Sequence, residues 1–300
     1  MHTASLAHPG RAQVLHVPLP ILIAAFCLLW ASAFSVAKLA VGYCPPLLVL
    51  TARFLLAGVV MLGAGAFFGL RSNLTRRDVV VFSLLGIANQ AAYLGLSYVG
   101  IRSISSGLAA MVISANPVLT AVLATVFLGD RMSWRKAAGL ALGVSGVAFV
   151  VKGRLAGGLE DPVGIGFTVA ALISLVGGTI LFKKLAPTGG LWVGNGVQSL
   201  AAGFATLPFA FAFESVGDVV PSWRLMAALI YLALFVSIFA YLLWFHLLNV
   251  SGATPASSYH FLMPPLGVLF GWLLLGEHVA PADLLGIVPV AIGIYLVTRP

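Results

Sequence analysis

Ten runs of mostly apolar residues constrain this chain more than anything else in it, because each is long enough to cross a hydrocarbon core of about 30 Å. They cover 18–41, 46–69, 78–99, 104–128, 134–151, 162–184, 189–213, 223–249, 254–275 and 282–298, parted by charge clusters and Gly/Pro turns. Lipid offers no partner to a free peptide group, so such runs must be helices, and no ten-residue alternating pattern suggests a barrel. Composition agrees. The set AVILMFWYC makes up 61% of 300 residues and charged residues only 8%, where a soluble domain carries about 25% charged residues. A soluble enzyme, a nucleic-acid binder and a disordered chain are excluded. The fold class expected is an all-α polytopic membrane protein of ten transmembrane helices, with lipid as its first partner.

The net charge of +8 has a topological meaning here. Counting the gaps between runs alternately, one side receives Arg11, Arg71, Arg76, Arg77, Arg131, Arg135, Lys136, Lys183, Lys184 and Arg299. The other receives Arg102, Lys152, Arg154 and Arg224. Basic residues accumulate on the cytoplasmic side. Both termini are therefore expected in the cytoplasm of a bacterial inner membrane, with 1–17 a flexible cytoplasmic tail. The basic residues form no stripe, and no nucleic acid is expected as partner. Cys27 and Cys44 belong to no CxxC or Cys/His cluster, so neither a metal nor a cofactor is expected.

The chain also repeats itself. Asn116-Pro117, Leu119, Leu128-Gly129, Asp130, Gly139 and Gly146 match Met263-Pro264, Leu266, Leu275-Gly276, Glu277, Gly286 and Gly293 at a constant offset of 147 residues. The offset implies two halves of five helices, 18–151 and 162–298. Five is odd, so the second half enters the membrane from the opposite face and the repeat is inverted. Inverted repeats belong to alternating-access transporters, which bind their cargo near midplane where the halves meet. Pro117 and Pro264 are expected to kink their helices, since proline removes a donor and clashes with the preceding turn. The carbonyls they free would either line a cavity or serve packing.

Several stretches together resemble the EamA-type family of the drug/metabolite transporter superfamily. They are Trp30-Ala-Ser-Ala-Phe34 with Lys38, Pro45-Pro46 and Arg53, then Gly95-Leu-Ser-Tyr98 with Ser105-Ser-Gly-Leu-Ala-Ala110, Asn116-Pro117 and Phe127-Leu-Gly-Asp130. In the second half they are Tyr241-Leu-Leu-Trp244, Gly252-Ala253, Pro264 and Leu274-Leu-Gly-Glu277. The likeness runs from Trp30 to Val297. It implies ten helices in two inverted repeats and, as a rule, efflux of amino acids, metabolites or drugs. In the second half it fades, with Val176 and Ser199, beside Gln198, at positions where the motif has tryptophan and arginine.

Ionisable side chains inside a membrane are costly and suggest function. Arg53, about two turns into its run, either attracts an anionic group such as a carboxylate or anchors helix-end carbonyls. Lys38 is near enough to its helix end to snorkel. No Asp or Glu stands near the middle of any run, which disfavours a proton-driven exporter of cationic drugs. His260 is the deep group that titrates near neutral pH, a candidate proton carrier or a packing residue. Asn89 and Gln90 stand four and three residues before Tyr93, on one face of a helix. Ser237, Tyr241 and Trp244 make a similar face, and Trp30, Phe34, Asn116 and Tyr259 could close a cavity between them. Aromatic walls with a few hydrogen-bonding groups suit a small amphipathic ligand. Tyr98 and Trp223, at run ends, read as interfacial anchors. Gly139 and Gly143 form a GxxxG that serves either internal packing or a homodimer.

Overall fold

The computed structural model describes residues 18–69, 74–156, 158, 160–185, 187, 190–279 and 281–298. The expected tail, 1–17, lies outside them, as do Arg71 and Arg299. The described residues form helices and no strand. In chain order these are α1 Leu19–Val41, α2 Pro46–Phe67, α3 Arg76–Ile101, α4 Ser106–Phe127 and α5 Trp134–Ala156. They continue with α6 Pro162–Leu185, α7 Leu191–Phe213, α8 Trp223–Ser251, α9 Ala253–Leu275 and α10 Pro281–Thr298. Among the described residues nine, α1 to α9, are long and apolar enough to cross a membrane. The apolar part of α10 described, Asp283–Gly293, is shorter. The chain is a polytopic all-helical membrane protein.

The helices start where the sequence supplies a partner for their first amides. Thr75 and Asp78 make a reciprocal capping box at α3, and Ser222 caps α8 by accepting from the Leu225 amide. Two starts are capped from a distance. Glu214 accepts from the amides of Leu47 and Leu48 in α2. Glu277 accepts from the amides of Ser106 and Gly107 in α4. A carboxylate is at its most favourable there, since the amide dipoles of a helix point their positive end at it.

Four of these rods are not continuous α-helix. In α3 the segment Ile87–Ala92 is a π-turn, and in α8 so is Tyr231–Ala240. The offset of 147 places Gln90 of the first on Ser237 of the second. In α4 the α-helix stops at Ile113 and restarts at Asn116. In α9 a 3₁₀ segment, Tyr259–Leu262, separates two α-helical pieces. Pro117 and Pro264 each stand in the first turn of the second piece. The expected kinks are therefore full breaks, because at a helix start the missing N–H and the ring cost nothing.

The GxxxG of α5 faces inward, onto α10. A Cβ built on Gly293 would come 2.5 Å from the Gly139 carbonyl oxygen and 3.0 Å from the Gly143 amide nitrogen. Close backbone approach of that kind is what small residues permit between helices in lipid. Gly293→Leu should accordingly destabilise the protein by about 1–3 kcal/mol, the usual cost of overpacking. The expected result is a lower melting temperature of the detergent-solubilised protein with its particle size unchanged. A changed size at an unchanged melting temperature would point instead to a dimer contact.

Candidate functional site

Arg53 projects from α2 into the middle of the bundle and is 1% exposed. Its Nε donates to Ser237 Oγ at 2.7 Å, and its Nη1 donates to the Tyr98 hydroxyl at 2.7 Å. Nη2 has no partner among the described residues. The guanidinium carbon lies 5.7 Å from the Phe54 ring centre and 5.9 Å from that of Tyr98, close enough for cation–π attraction. The ion pairs among the described residues join Arg154 to Glu160 and Asp283, and none involves Arg53. Of the two readings of this residue, anchoring of helix-end carbonyls fails: both bonds go to side-chain hydroxyls.

Around Arg53 lies a nearly closed cavity of about 20 Å³, room for one water. Trp30 and Phe34 of α1, Tyr93, Ser97 and Tyr98 of α3, and Tyr241 of α8 form its walls. The Trp30 ring stacks on Tyr93 at 6.4 Å and lies 5.2 Å from Tyr241. A ligand of several heavy atoms enters this space only if these rings part. Behind Trp30, outside the cavity, His260 is wholly buried among the rings of Phe26, Trp30 and Trp244, at 4.8–5.5 Å.

The π-turns decide which residues reach this cavity. Residues 93, 94, 97, 98 and 101 of α3 line it, a helical face at three- and four-residue spacing. The extra residue of the preceding π-turn rotates the residues on its N-terminal side by about 100° relative to those on its C-terminal side. Asn89 and Gln90 therefore leave the face that the sequence assigns them. The Asn89 side chain packs against Gly178 of α6, and Gln90 Nε2 donates to Asn195 Oδ1 at 3.1 Å. The same turns loosen backbone carbonyls, which find side-chain donors. Tyr241 donates to the Asn89 carbonyl at 2.8 Å, Ser174 to that of Ala88 at 2.9 Å, and Asn195 Nδ2 to that of Ser237 at 2.7 Å.

Of the residues expected at the site, Trp30, Phe34, Arg53, Tyr93 and Tyr241 line the cavity and Ser237 holds Arg53. Trp244 and His260 form the layer behind it. Asn116, whose Oδ1 accepts from Thr120 at 2.8 Å, and Tyr259 do not line it, and neither do Pro117 and Pro264. Pro264 borders a separate small gap beside Val147, Asp283 and Gly286. Tyr98 is the reverse case. Its place near the end of a run suggests an anchor, yet it is 3% exposed and accepts from Arg53. Its four-residue spacing from Leu94 was the available signal. Trp223, 77% exposed, fits the anchoring reading. Lys38 is half-buried, and its ammonium donates to the carbonyls of Ile101, Arg102 and Ile104 at 2.7–3.0 Å, at the end of α3 and in the turn after it.

The model of the EamA-like transporter family matches residues 19–152 and again 162–299. The chain belongs to the EamA-like transporter family. A transporter of Archaeoglobus fulgidus is 26% identical to it over 93% of this chain and 98% of the relative. The inner membrane transporter YedA of Escherichia coli (strain K12) is 29% identical, over 93% and 91%. The S-adenosylmethionine/S-adenosylhomocysteine transporter of Chlamydia muridarum is 28% identical, over 90% and 88%. A crystal structure at 18% identity superimposes with a TM-score of 0.71, covering 93% of this chain and 96% of that one. This EamA-like chain is thus a membrane transporter for a small molecule and not an enzyme.

Removing the Tyr98 hydroxyl tests its role. Tyr98→Phe takes from a buried cation one of its two acceptors, a loss of about 1.5–3 kcal/mol for a hydrogen bond to a charged group. The variant should melt at a lower temperature than the parent. An unchanged melting temperature would return Tyr98 to the status of an interfacial anchor.

Proposed function

We propose that this protein exports small amphipathic metabolites bearing a carboxylate, amino acids among them, across the bacterial inner membrane by alternating access. One observation carries the reading: Arg53, a buried cation with an unpartnered Nη2, opens onto a cavity walled by aromatic rings. A carboxylate is the planar, two-oxygen partner that a guanidinium binds best, and the rings would hold an apolar side chain at about 25 cal/mol per Å² buried. The relative named for S-adenosylmethionine and S-adenosylhomocysteine carries cargo of which both kinds contain an amino-acid carboxylate. A phosphorylated sugar would call for more cations than Arg53 alone.

Alternating access needs two interchangeable halves, and three features support 18–151 and 162–298 as an inverted pair, with α10 as the tenth span. The family model matches twice. Helix packing has the same symmetry: α2 lies along α7, α4 along α9 and α5 along α10, while α1 against α8 mirrors α6 against α3. The repeat-related acids also make equivalent contacts at opposite ends of the antiparallel pair α4–α9. Glu277 binds the start of α4 through the amides of Ser106 and Gly107 and the Ser106 hydroxyl, at 2.8–3.2 Å. Asp130 binds the start of α9 through the Thr254 hydroxyl alone, at 3.2 Å. The stronger latch faces outward in the topology that the basic residues favour, so the closed cavity would next open to the cytoplasm.

Arg53→Gln should reduce counterflow of large apolar amino acids in proteoliposomes by tenfold or more, while Tyr93→Ala should erase their advantage over glycine and serine. Unchanged transport of phenylalanine by Arg53→Gln would end the carboxylate assignment. For the orientation, reporters fused at Ala4 and at Pro300 should both signal cytoplasm, and a periplasmic signal at either end would overturn the span parity.

A further inference from the structure

The Arg53 cavity has an imbalance that narrows the cargo further, on the reading above that its ligand bears a carboxylate. The polar side chains that line it belong to Arg53, Trp30, Tyr93, Ser97, Tyr98 and Tyr241. Guanidinium and indole are donors only. The Tyr98 oxygen already accepts from Arg53, while the Tyr241 hydroxyl gives its proton to the Asn89 carbonyl and keeps an oxygen that can accept. No carboxylate and no side-chain amide lines the cavity. The side-chain amides of Asn89 and Gln90 lie outside its lining, Asn89 against Gly178 and Gln90 Nε2 on Asn195 Oδ1. One positive charge with no acid in the lining to balance it therefore stands in a pocket buried in a low-dielectric bundle.

A zwitterionic ligand would satisfy Arg53 with its carboxylate and bring an ammonium into the same pocket. The pocket would keep a net charge of one, and the ammonium would exchange water for aromatic faces and hydroxyl oxygens while standing close to a guanidinium. A carboxylate that carries no ammonium leaves the pocket neutral. Burying an unpaired charge is costly, whereas a paired one in good geometry is tolerated. We infer that the preferred cargo of this transporter is an amphipathic monocarboxylate without a compensating ammonium, such as an aryl or alkyl carboxylic acid or the 2-oxo acid of an apolar amino acid, and that α-amino acids are the weaker ligands of the same site.

Three ligands with one phenylethyl body separate the charges: 3-phenylpropionate, phenylalanine and 2-phenylethylamine. Calorimetric titration of the full-length protein in detergent measures binding free of passive leak through a bilayer. The acid should bind at least about tenfold tighter than phenylalanine, a difference of about 1.4 kcal/mol, and the amine should not bind. Arg53→Gln should weaken the acid by tenfold or more and abolish its advantage over phenylalanine, while Arg53→Lys, which keeps the cation, should retain that advantage. Phenylalanine binding as tightly as the acid or tighter would overturn this inference and leave the carboxylate site standing. Binding by neither, or preference for the amine, would overturn both.

Discussion

Every peptide group in the hydrocarbon must find its partner within the protein, and the departures of this chain from ideal helix reflect how it meets that demand. An unbroken helix meets it without help. Four rods here are broken or bulged, and at the breaks side chains take over the work. Ser114 donates to the Met111 carbonyl next to the interruption in α4, and Ser258 donates to Pro255 next to the one in α9. At the π-turns Ser174, Tyr241 and Asn195 do the same for Ala88, Asn89 and Ser237. Small polar residues in otherwise apolar spans are thus the condition under which irregular backbone survives at depth. That irregular backbone in turn aims the aromatic face of α3 at Arg53.

Arg53 itself obeys the same economy with a charge in place of a dipole. Two hydroxyls and two rings accommodate the guanidinium without an acid. Three helices besides its own hold the arrangement: α3 through Tyr98, α8 through Ser237 and α1 through Trp30 against Tyr93 and Tyr241. A relative shift of any of them alters the environment of the cation, so occupancy of the site and the packing of the bundle are physically coupled.

At the ends of the bundle the logic is that of helix termini. Glu277 and Asp130 reach across from one rod to the start of another, and the two contacts differ in strength for a visible reason. The first engages two main-chain amides and a hydroxyl, the second one hydroxyl. Arg154 thickens the neighbouring structure by joining Ser105, Glu160 and Asp283. Small residues between α4 and α9 let the rods approach closely enough for these contacts: a Cβ on Gly271 would fall 3.0 Å from the Ser106 hydroxyl.

The apolar runs alone dictated a polytopic helical membrane protein, because only a helix closes its own hydrogen bonds in lipid, and motifs from Trp30 to Glu277 carried the family. Arg53, Trp30, Phe34, Tyr93 and Tyr241 are legible in the sequence as candidates, by the cost of a buried cation and by aromatic placement along the spans, and the fold gathers them around one cavity. The constant offset pairs Asp130 with Glu277 in the sequence, though it says nothing of the amides and hydroxyls they hold. Asn89 and Gln90 leave the face that period 3.6 gives them because their segment is a π-turn, whereas Tyr98 reads as an anchor only from its place near a run end. Pro117 and Pro264 were read as kinks where the helices in fact stop and restart. Periodicity reports the angle between neighbours along one regular helix. Where that helix gains a residue or breaks depends on which donors other helices bring to its carbonyls, and only the assembled bundle decides that.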